Sequence, residues 1–353
     1  MTKDRGALAL VLHSHMPYVE GFGTWPFGEE WLWEAVATVY LPLLELIDGV
    51  PVTLGLTPVL CDQLEALPGP AAERFLRFLH GTRAEIHAED SAGLERTGHP
   101  ELAAEVRRSA ADYERAAERF EARSRDLMGA FGALRRVELW TSSASHAVLP
   151  LIATEAGLRL QVASGIASHE RRFGSFGGGF WLPECAYRPG LERDLAEHGV
   201  RAFCVDQTEA HGYGAPEQLE PVATPAGPVA VPLDWQTVEL VWCEDSGYPA
   251  NHPYRDYHRR TTHDLRPWNN AGYPYQPEVA LGLARHHARD FVERAIGRLD
   301  AYAAERGRPG LLACALDTEL LGHWWYEGTA WLEAVIEEAG RQELDLVTLS
   351  EGI

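Results

Sequence analysis

The sequence predicts an α/β fold in which parallel strands close into a barrel, and two observations support this prediction. Short apolar runs that resemble buried strands alternate with helical patterns along the chain. Two of these runs end at an acidic residue that is flanked by aromatic and histidine side chains: Glu184 follows Gly178–Leu182, and Asp317 follows Leu311–Leu316. Since the mouth of a parallel barrel lies at the carboxyl ends of its strands, both acids are expected there.

The strands and helices follow from the spacing of apolar residues. The predicted strands are Ala7–Leu12, Val52–Leu56, Val137–Thr141, Gly178–Leu182, Ala202–Val205, Val229–Leu233, Val238–Trp242, Leu311–Leu316 and Leu344–Leu349. The predicted helices are Glu29–Ile47, Leu102–Phe131, Ala147–Phe173, Tyr187–His198 and Pro277–Arg306.

The 353 residues show no internal repeat, low-complexity tract or composition break. We therefore predict one catalytic barrel domain over residues 1–353, with a helical insertion at about 62–131 and a loop-plus-helix region at about 245–306. The segment Tyr248–Pro277 is rich in His, Pro, Tyr and Asn and has no periodicity. Such a segment inside a compact domain is typical of a functional loop over a site.

Composition excludes several partners. The formal charge of −21 argues against nucleic acid and against an anionic membrane surface. No apolar run is long enough to span a membrane. The five cysteines are scattered without metal-binding or redox spacing, which predicts reduced thiols and a cytoplasmic location. The apolar run after Arg5 is too short for a signal peptide, and it leads into His13 without a cleavage site.

The histidine pair His13-Ser14-His15 follows the first predicted strand. Residues two apart on a strand share a face, so both imidazoles can point into the barrel mouth. Three interpretations remain open from spacing alone: hydrogen bonding to sugar hydroxyls, metal ligation, and a structural pair in the core. His146 follows a polar strand end and is a further candidate, as are His323 and Trp324 shortly after Asp317.

The 11 tryptophans include several near predicted strand ends or loops, notably Trp25, Trp242 and Trp324. Aromatic faces stack on pyranose rings while an indole N–H reaches a hydroxyl, although core packing accounts for part of the set. Two acids among such rings suggest cleavage of a glycosidic bond, with Glu184 as nucleophile and Asp317 as general acid/base. Helix capping or a salt bridge is the structural alternative for each acid.

Taken together, six stretches make the chain resemble glycoside hydrolase family 57, most closely its 1,4-α-glucan branching enzymes. They occur in the family's order and span nearly the whole chain. The stretches are LVLHSHMPYV (10–19), WPFGEEW (25–31), VELWTSSASH (137–146), WLPECAYRPG (181–190), GYP (247–249) and DTELLGHWWYEG (317–328).

The resemblance implies a distorted (β/α)7 barrel with helical insertions, a retaining mechanism and no metal or organic cofactor. It assigns the nucleophile to Glu184 and the acid/base to Asp317. His13 and His146 are then expected to donate hydrogen bonds to the sugar at the cleavage point, and Trp25 and Trp242 to stack on the α-glucan. The implied reaction cleaves an α-1,4 bond and passes the chain to a 6-hydroxyl.

Two differences from the family pattern affect the expected balance between transfer of the glucan chain and its hydrolysis. The chain ends at Ile353, where such family members usually continue into a helical domain, and the loop between Asp206 and Thr224 is short. Because transfer requires water to be kept from the covalent intermediate, these departures favour some hydrolysis. Three alternatives to a branching enzyme remain. They are an α-1,4-glucan hydrolase, a metal-dependent polysaccharide deacetylase that uses His13 and His15, and a glucan-binding protein without activity.

Overall fold

The structure is a computed structural model that describes residues 5–23 and 28–353, and parallel strands form its centre. Five of these strands form one sheet in the order β4-β3-β2-β1-β8, with every neighbouring pair parallel. The described strands are β1 (Gly6–Ser14), β2 (Val52–Leu56), β3 (Val137–Ser142), β4 (Phe180–Trp181), β5 (Ala202–Val205), β6 (Val222–Ala223), β7 (Val229–Pro232) and β8 (Gly310–Asp317).

A second sheet, in the order β5-β7-β6, completes the ring. A parallel bridge between Gly179 and Ala202 joins it to the β4 side. On the other side, the backbone N–H of Asp234, just beyond β7, donates to the carbonyl of Ala313 on β8 at 2.9 Å. Only β6 pairs antiparallel among the described strands. Seven parallel strands thus form a distorted (β/α)7 barrel, as predicted.

The barrel interior is filled by alternate residues of its strands. The interior cluster comprises Ala9, Val11, Trp140, Trp181, Ala202, Cys204, Val231, Leu233, Leu311, Ala313, Ala315 and Leu349. Intervening residues such as Leu10 and Leu312 pack outward against the helices. Because side chains alternate with a period of two, His13 and Asp317 continue the inward-facing rows of β1 and β8 at their carboxyl ends.

The helices surround this barrel. Helix Glu29–Ala35 continues through a π-type turn, Val36–Tyr40, into Leu41–Leu46. The longest, Pro277–Arg306, has the predicted bounds. Within the described residues, none of the helices has the length and apolar character needed to cross a membrane. The remaining described α-helices of more than four residues are Pro58–Ala66, Ala72–Arg77, Ala84–Arg96, Pro100–Ala122, Leu127–Gly132, Glu155–Phe173, Leu191–Glu197, Trp235–Trp242 and Gly328–Arg341. Two further π-type segments are Leu67–Ala71 and Phe78–Arg83.

Two predicted strands are wrong. Val238–Trp242 belongs to the helix Trp235–Trp242, whose first turn is capped by Asp234 accepting from the N–H of Thr237 at 3.2 Å. The apolar residues of Val238–Trp242 are compatible with a strand or with a helix, and capping by Asp234 favours the helix. Leu344–Leu349 forms a single parallel bridge, Leu346 to Leu8, and then enters a short helix that begins after the capping box of Thr348.

The predicted helix Leu102–Phe131 is two helices. Pro100–Ala122 ends before Ser124 and Arg125, which have positive φ angles of 54° and 63°, and a new helix begins at Leu127. A right-handed helix cannot pass through left-handed residues. The apolar spacing continues across the break because both helices pack on the same core, which includes Phe120 and Leu127.

Substitution of Asp234, the residue at the junction of β7 and β8, tests how much its buried carboxylate contributes to stability. Its carboxylate is fully buried and pairs with Arg298 at 3.0 Å, while it also caps the following helix. Asp234→Ala leaves a buried arginine without its partner, so we expect a loss of about 3–5 kcal/mol in the free energy of unfolding. Chemical denaturation measures this loss.

The matched control is Asp48→Ala, which removes an exposed pair with Arg135 at 2.7 Å. Solvent screens that pair, so its loss should be clearly smaller. Equal losses in the two variants would contradict the role given to Asp234.

Candidate active site

The site lies where β1 and β8 end beside each other. The two strands are in register so that His13 is opposite Asp317. One residue further along, the hydroxyl of Ser14 donates to that of Thr318 at 2.8 Å, which ties the two strand ends together. The strand pairing therefore places an imidazole beside a carboxyl group at the mouth of the barrel.

Asp317 lies in an open cleft: its surface reaches solvent, yet protein atoms surround it on most sides. Desolvation and, after it, the charge of Glu184 together raise the pKa of its carboxyl group to about 6. The two acids, which are far apart along the chain, are thus close enough to interact through their charges. A carboxyl group with this pKa can hold a proton in weakly acidic solution and release it near neutrality.

Glu184 owes its position to an unusual backbone. It lies in the short turn Pro183–Cys185 directly after β4, and both Glu184 and Cys185 have positive φ, at 59° and 50°. His146, after β3, also has a positive φ of 57°. Left-handed backbone is unfavourable for such residues and is concentrated at functional sites, where the surrounding structure maintains it. The Glu184 side chain is exposed at the end of β4.

The thiol of Cys185 interacts with the charges of three acids. Burial raises its pKa well above the usual range, and Cys204 and then Asp206, Asp317 and Glu184 add to the increase. The three carboxylates are therefore near enough to this thiol to affect its ionisation. A thiol with a raised pKa stays protonated and is a poor nucleophile, so Cys185 serves here as packing.

Three histidines form a stack above the barrel interior. The ring of His13 lies 4.6 Å from that of Trp181 and 4.9 Å from that of His146, and the rings of His146 and His15 are 3.9 Å apart. The Nε2 atoms of His13 and His146 are hydrogen bonded at 2.9 Å. His15 also approaches the hydroxyl of Thr57, at 3.4 Å.

These imidazoles are neutral at physiological pH. Desolvation lowers the pKa of His15 to about 4 and that of His146 to about 3, with the proximity of His15 as a further cause for His146. The pKa of His13 is also lowered well below its usual value, first by burial and then by the two other histidines. A neutral imidazole both donates and accepts a hydrogen bond, which suits sugar hydroxyls.

Glu319 is a buried acid behind Asp317. One of its oxygens accepts from the backbone N–H of His15 at 3.2 Å and from the hydroxyl of Tyr40. Desolvation, with a smaller contribution from the charge of Asp317, outweighs the opposing hydrogen bond from Tyr40 and raises the pKa of Glu319 to about 8. Glu319 is therefore mostly protonated at pH 7, and it links β8, β1 and the π-type turn that ends at Tyr40.

The other predicted site residues lie further out. Trp242 is half exposed at the end of its helix, and Trp25 lies outside the described residues. His323 and Trp324 line a cavity of about 960 Å³ whose walls do not include Glu184 or Asp317. Burial lowers the pKa of His323 to about 4. The structure thus brings together Glu184, Asp317, His13, His15 and His146, and it separates Trp242, His323 and Trp324 from them.

Two residues of the site were missed from the sequence. Asp206 follows Ala202 and Cys204 at spacing two, so the alternation of β5 already indicated that it faces the barrel mouth. Tyr40 is in a helix that is remote from the acids along the chain, and no local pattern connects it with Glu319.

A metal site needs several converging ligands. Among the residues that the structure describes, no group of three or more His, Cys, Asp or Glu side chains is arranged to hold a metal ion. The Nε2 atom of His13, one of the nitrogens that the deacetylase interpretation requires, is bonded to His146.

The raised pKa of Asp317 has a consequence for stability. The carboxyl group titrates near 3.8 in the unfolded chain and near 6 in the folded protein, so folding takes up a proton between these values. Stability contributed by this group therefore falls as pH rises from about 4 to about 6. We expect Asp317→Asn to stabilise the protein at pH 7.5 and to lose this advantage near pH 4.

Urea denaturation of both proteins across this pH range checks the difference. In a Glu184→Gln background the same substitution should give a smaller gain, because only desolvation remains. A gain that does not change with pH would contradict the coupling between the two acids.

Comparison with known proteins agrees with this geometry. Residues 9–353 match the profile of Glycosyl hydrolase family 57. A probable 1,4-alpha-glucan branching enzyme of Mycobacterium tuberculosis is 34% identical over 99% of this chain and 70% of its own length. A 1,4-alpha-glucan branching enzyme of Thermococcus kodakarensis is 31% identical over 98% of this chain and 57% of its own length.

Solved structures of similar enzymes superpose closely on this chain. The branching enzyme of Pyrococcus horikoshii superposes with a TM-score of 0.90 at 31% identity, covering 98% of this chain and 69% of the other. An alpha-amylase from Thermotoga maritima superposes with a TM-score of 0.87 at 25% identity, covering 98% and 74%. With a family match over almost its whole length, the chain belongs to glycosyl hydrolase family 57.

Proposed function

We propose that the protein is a retaining α-glucan-active enzyme whose main reaction is 1,4-α-glucan branching. In this reaction an α-1,4 bond is cleaved, the chain is held on Glu184, and it is transferred to the 6-hydroxyl of another glucan. The observation that carries the proposal is the placement of two acids at the carboxyl ends of barrel strands, Glu184 after β4 and Asp317 at the end of β8, where burial and the charge of Glu184 raise the pKa of Asp317. The relatives named as branching enzymes supply the substrate and the reaction type.

The first step uses the two acids in different protonation states. Asp317 donates its proton to the glycosidic oxygen, and the carboxylate of Glu184 attacks the anomeric carbon as the C–O bond breaks. The leaving chain departs with a new hydroxyl, and an ester joins the remaining chain to Glu184. Because burial and the charge of Glu184 raise the pKa of Asp317 to about 6, the protonated form that this step requires is populated in weakly acidic solution.

The second step follows from the change in charge. Once Glu184 is esterified, it has no negative charge to raise the pKa of Asp317. That pKa then falls, and the Asp317 carboxylate becomes the base that accepts the proton of the incoming hydroxyl. Oxygen attacks the anomeric carbon, the ester bond breaks, and Glu184 regains its charge. Two inversions at one carbon give net retention.

We assign the recognition of the sugar to the neutral histidines. His15 and His146 are partly accessible and carry the contacts to hydroxyls. His13 is 3% exposed and bonded to His146, so it orients that ring and contacts sugar only if the bond opens. Trp242 and Trp324, about half exposed, together with Trp25, are proposed as stacking surfaces for the glucan chain.

Hydrolysis is the second candidate, and two observations favour it. The similar structure from Thermotoga maritima is an alpha-amylase. Residues 206–224 form only short elements, Thr208–His211, Pro216–Leu219 and β6, which is a small cover for a site that must exclude water. The competition between water and a glucan hydroxyl for the same ester decides the product.

We also propose a cytoplasmic location and a role in forming glycogen-like polymers. All five cysteines are free thiols, which agrees with a reducing compartment.

Incubation with amylose tests the proposal. New α-1,6 linkages and new reducing ends are counted separately, and we expect the linkages to dominate. Glu184→Gln should abolish both products because no ester can form. Asp317→Asn should reduce the rate about 10²–10⁴-fold, the range for loss of general acid–base catalysis.

Reducing ends without new linkages would establish hydrolysis as the main reaction. If neither product exceeds the Glu184→Gln background, the enzymatic proposal fails and a glucan-binding protein remains.

A further inference from the structure

Glu319 is a buried acid that has no step in the proposed reaction. Its side chain is 8% exposed, and it lies two residues after Asp317 in the turn Thr318–Leu320. One carboxyl oxygen accepts from the backbone N–H of His15 at 3.2 Å and also from the hydroxyl of Tyr40. Burial of a carboxyl group is costly unless hydrogen bonds compensate for the lost water, so these two contacts are what makes its position stable.

The hydrogen bonds of Glu319 indicate which form of the acid the site contains. Both donors bond to Oε1, and no described residue is hydrogen bonded to Oε2. Burial, opposed by the hydrogen bond from Tyr40, raises the pKa of Glu319 to about 8, so at pH 7 a proton occupies Oε2 in most molecules. Glutamine has the shape and charge of this neutral form, with an NH₂ group in place of the protonated oxygen.

Tyr40 reaches Glu319 from a helical segment with a local change in geometry. The tyrosine is fully buried, and it is the last residue of the π-type turn Val36–Tyr40. Such a turn contains one residue more than a turn of α-helix, which changes the direction of the side chains that follow, and it is frequent at functional sites. Here the turn ends at the residue whose hydroxyl donates to Glu319.

A second contact joins the same π-type turn to the segment after Asp317. Gly322 has a φ of 117°, and a Cβ atom at this position would overlap the carbonyl oxygen of Thr38. The N–H of Gly322 donates to the carbonyl of Trp325 at 2.8 Å, which closes the backbone behind the contact. The turn Val36–Tyr40 therefore contacts this segment twice, once through the hydroxyl of Tyr40 and once through the backbone of Thr38.

These contacts affect the positions of two residues of the site. The backbone of His15 is bonded directly to the Glu319 side chain. The turn that contains Glu319 begins directly after Asp317, so Asp317 cannot move far from His15 without disturbing a buried hydrogen bond. A displacement of about 1 Å in a reacting group can slow an enzyme about 10²-fold.

We propose that Glu319 and Tyr40 are positioning residues for the reaction: they hold the backbone of His15 and of the turn after Asp317, so that the histidine and the acid/base face the same sugar. The inference rests on the proposed function. Neither residue exchanges a proton with the substrate. Their contribution is to kcat, because accurate placement of the acid/base matters more in the transition state than in the bound ground state.

Steady-state kinetics of the full chain on amylose test the proposal at pH 6, where about half of Asp317 is protonated. Tyr40→Phe removes the donor and Glu319→Ala the acceptor, and each should lower kcat about ten- to hundredfold with little change in KM. Glu319→Gln should retain nearly the wild-type kcat. The control is Tyr254→Phe, which removes another fully buried hydroxyl, bonded to His287 at 2.8 Å, and should leave kcat unchanged.

A double variant shows whether the two residues act together. Tyr40→Phe and Glu319→Ala break the same hydrogen bond, so their combination should lower kcat no further than Glu319→Ala alone. Losses that add in the double variant contradict the pairing.

A pH profile separates positioning from a merely structural role. Above about pH 8 Glu319 ionises in the wild type, and a buried charge then lies near Asp317. The other ionisable groups around the pair, the imidazole of His15 and the thiol of Cys61, are neutral at this pH, because burial lowers the pKa of His15 to about 4 and raises that of Cys61 to about 12. The ratio of Glu319→Gln activity to wild-type activity should therefore rise from pH 8 upward.

Three results overturn the proposal. They are a kcat for Tyr40→Phe equal to that of the Tyr254→Phe control, a loss in Glu319→Gln as large as that in Glu319→Ala, and an activity ratio that stays constant across the pH range. Hydrogen–deuterium exchange in the barrel strands verifies that each variant is folded.

A measurement without turnover separates this inference from the proposed function. Carbon-13 NMR should show the midpoint of Asp317 near pH 6 in Glu319→Gln and a lower midpoint in Glu319→Ala, where water can enter beside the acid. If the wild type cleaves no glucan but the midpoint moves in this way, the enzymatic proposal fails and Glu319 still positions Asp317. If cleavage occurs and the midpoint is the same in both variants, the proposed function holds and the positioning role is overturned.

Discussion

We propose that the chemistry of this protein depends on the electrostatic coupling of Glu184 and Asp317 at the mouth of the barrel. Desolvation and the nearby charge of Glu184 both make ionisation of Asp317 more costly, so the pKa of Asp317 is raised. A raised pKa is what a proton donor beside a nucleophile requires. In the proposed mechanism the coupling disappears when Glu184 is esterified, so the covalent intermediate itself converts Asp317 from acid to base.

The barrel strands place the two acids at the same mouth with few unusual backbone conformations. The alternation that fills the interior with Ala313 and Ala315 places Asp317 in the mouth as the next inward residue. Glu184 needs more, because β4 is short and Glu184 and the following Cys185 are both left-handed. Left-handed backbone at the site thus occurs in this turn and at His146, while Glu319, hydrogen bonded to His15 and Tyr40, supports the segment after Asp317.

Much of the barrel could be predicted from the sequence because its strands are short, apolar and separated by helices. The bounds of β2 and β5 agree with prediction, and β1 and β8 differ by one or two residues at each end. Val238–Trp242 was mistaken because its four apolar residues fit a strand or a buried helix, and the buried cap Asp234 was not recognised. The break at Ser124 and Arg125 could not be predicted, since neither residue signals a left-handed conformation by its chemistry.

The acids and histidines of the site were predicted from their strand-end positions and from the family resemblance. The contacts among them were not, because spacing on one strand says nothing about His146 or Tyr40 on another element. The cavity lined by His323 and Trp324 was missed for the same reason: its walls come from segments 30–42, 82–119, 255–266, 275–281 and 322–330, which meet only in the folded chain.

The central claim is tested most directly by titrating Asp317 with carbon-13 NMR in the wild-type protein and in Glu184→Gln. The account predicts a midpoint near pH 6 for the wild type and a lower midpoint for the variant, because the neighbouring charge is gone. Equal midpoints, or a wild-type midpoint near that of an ordinary aspartate, would contradict it.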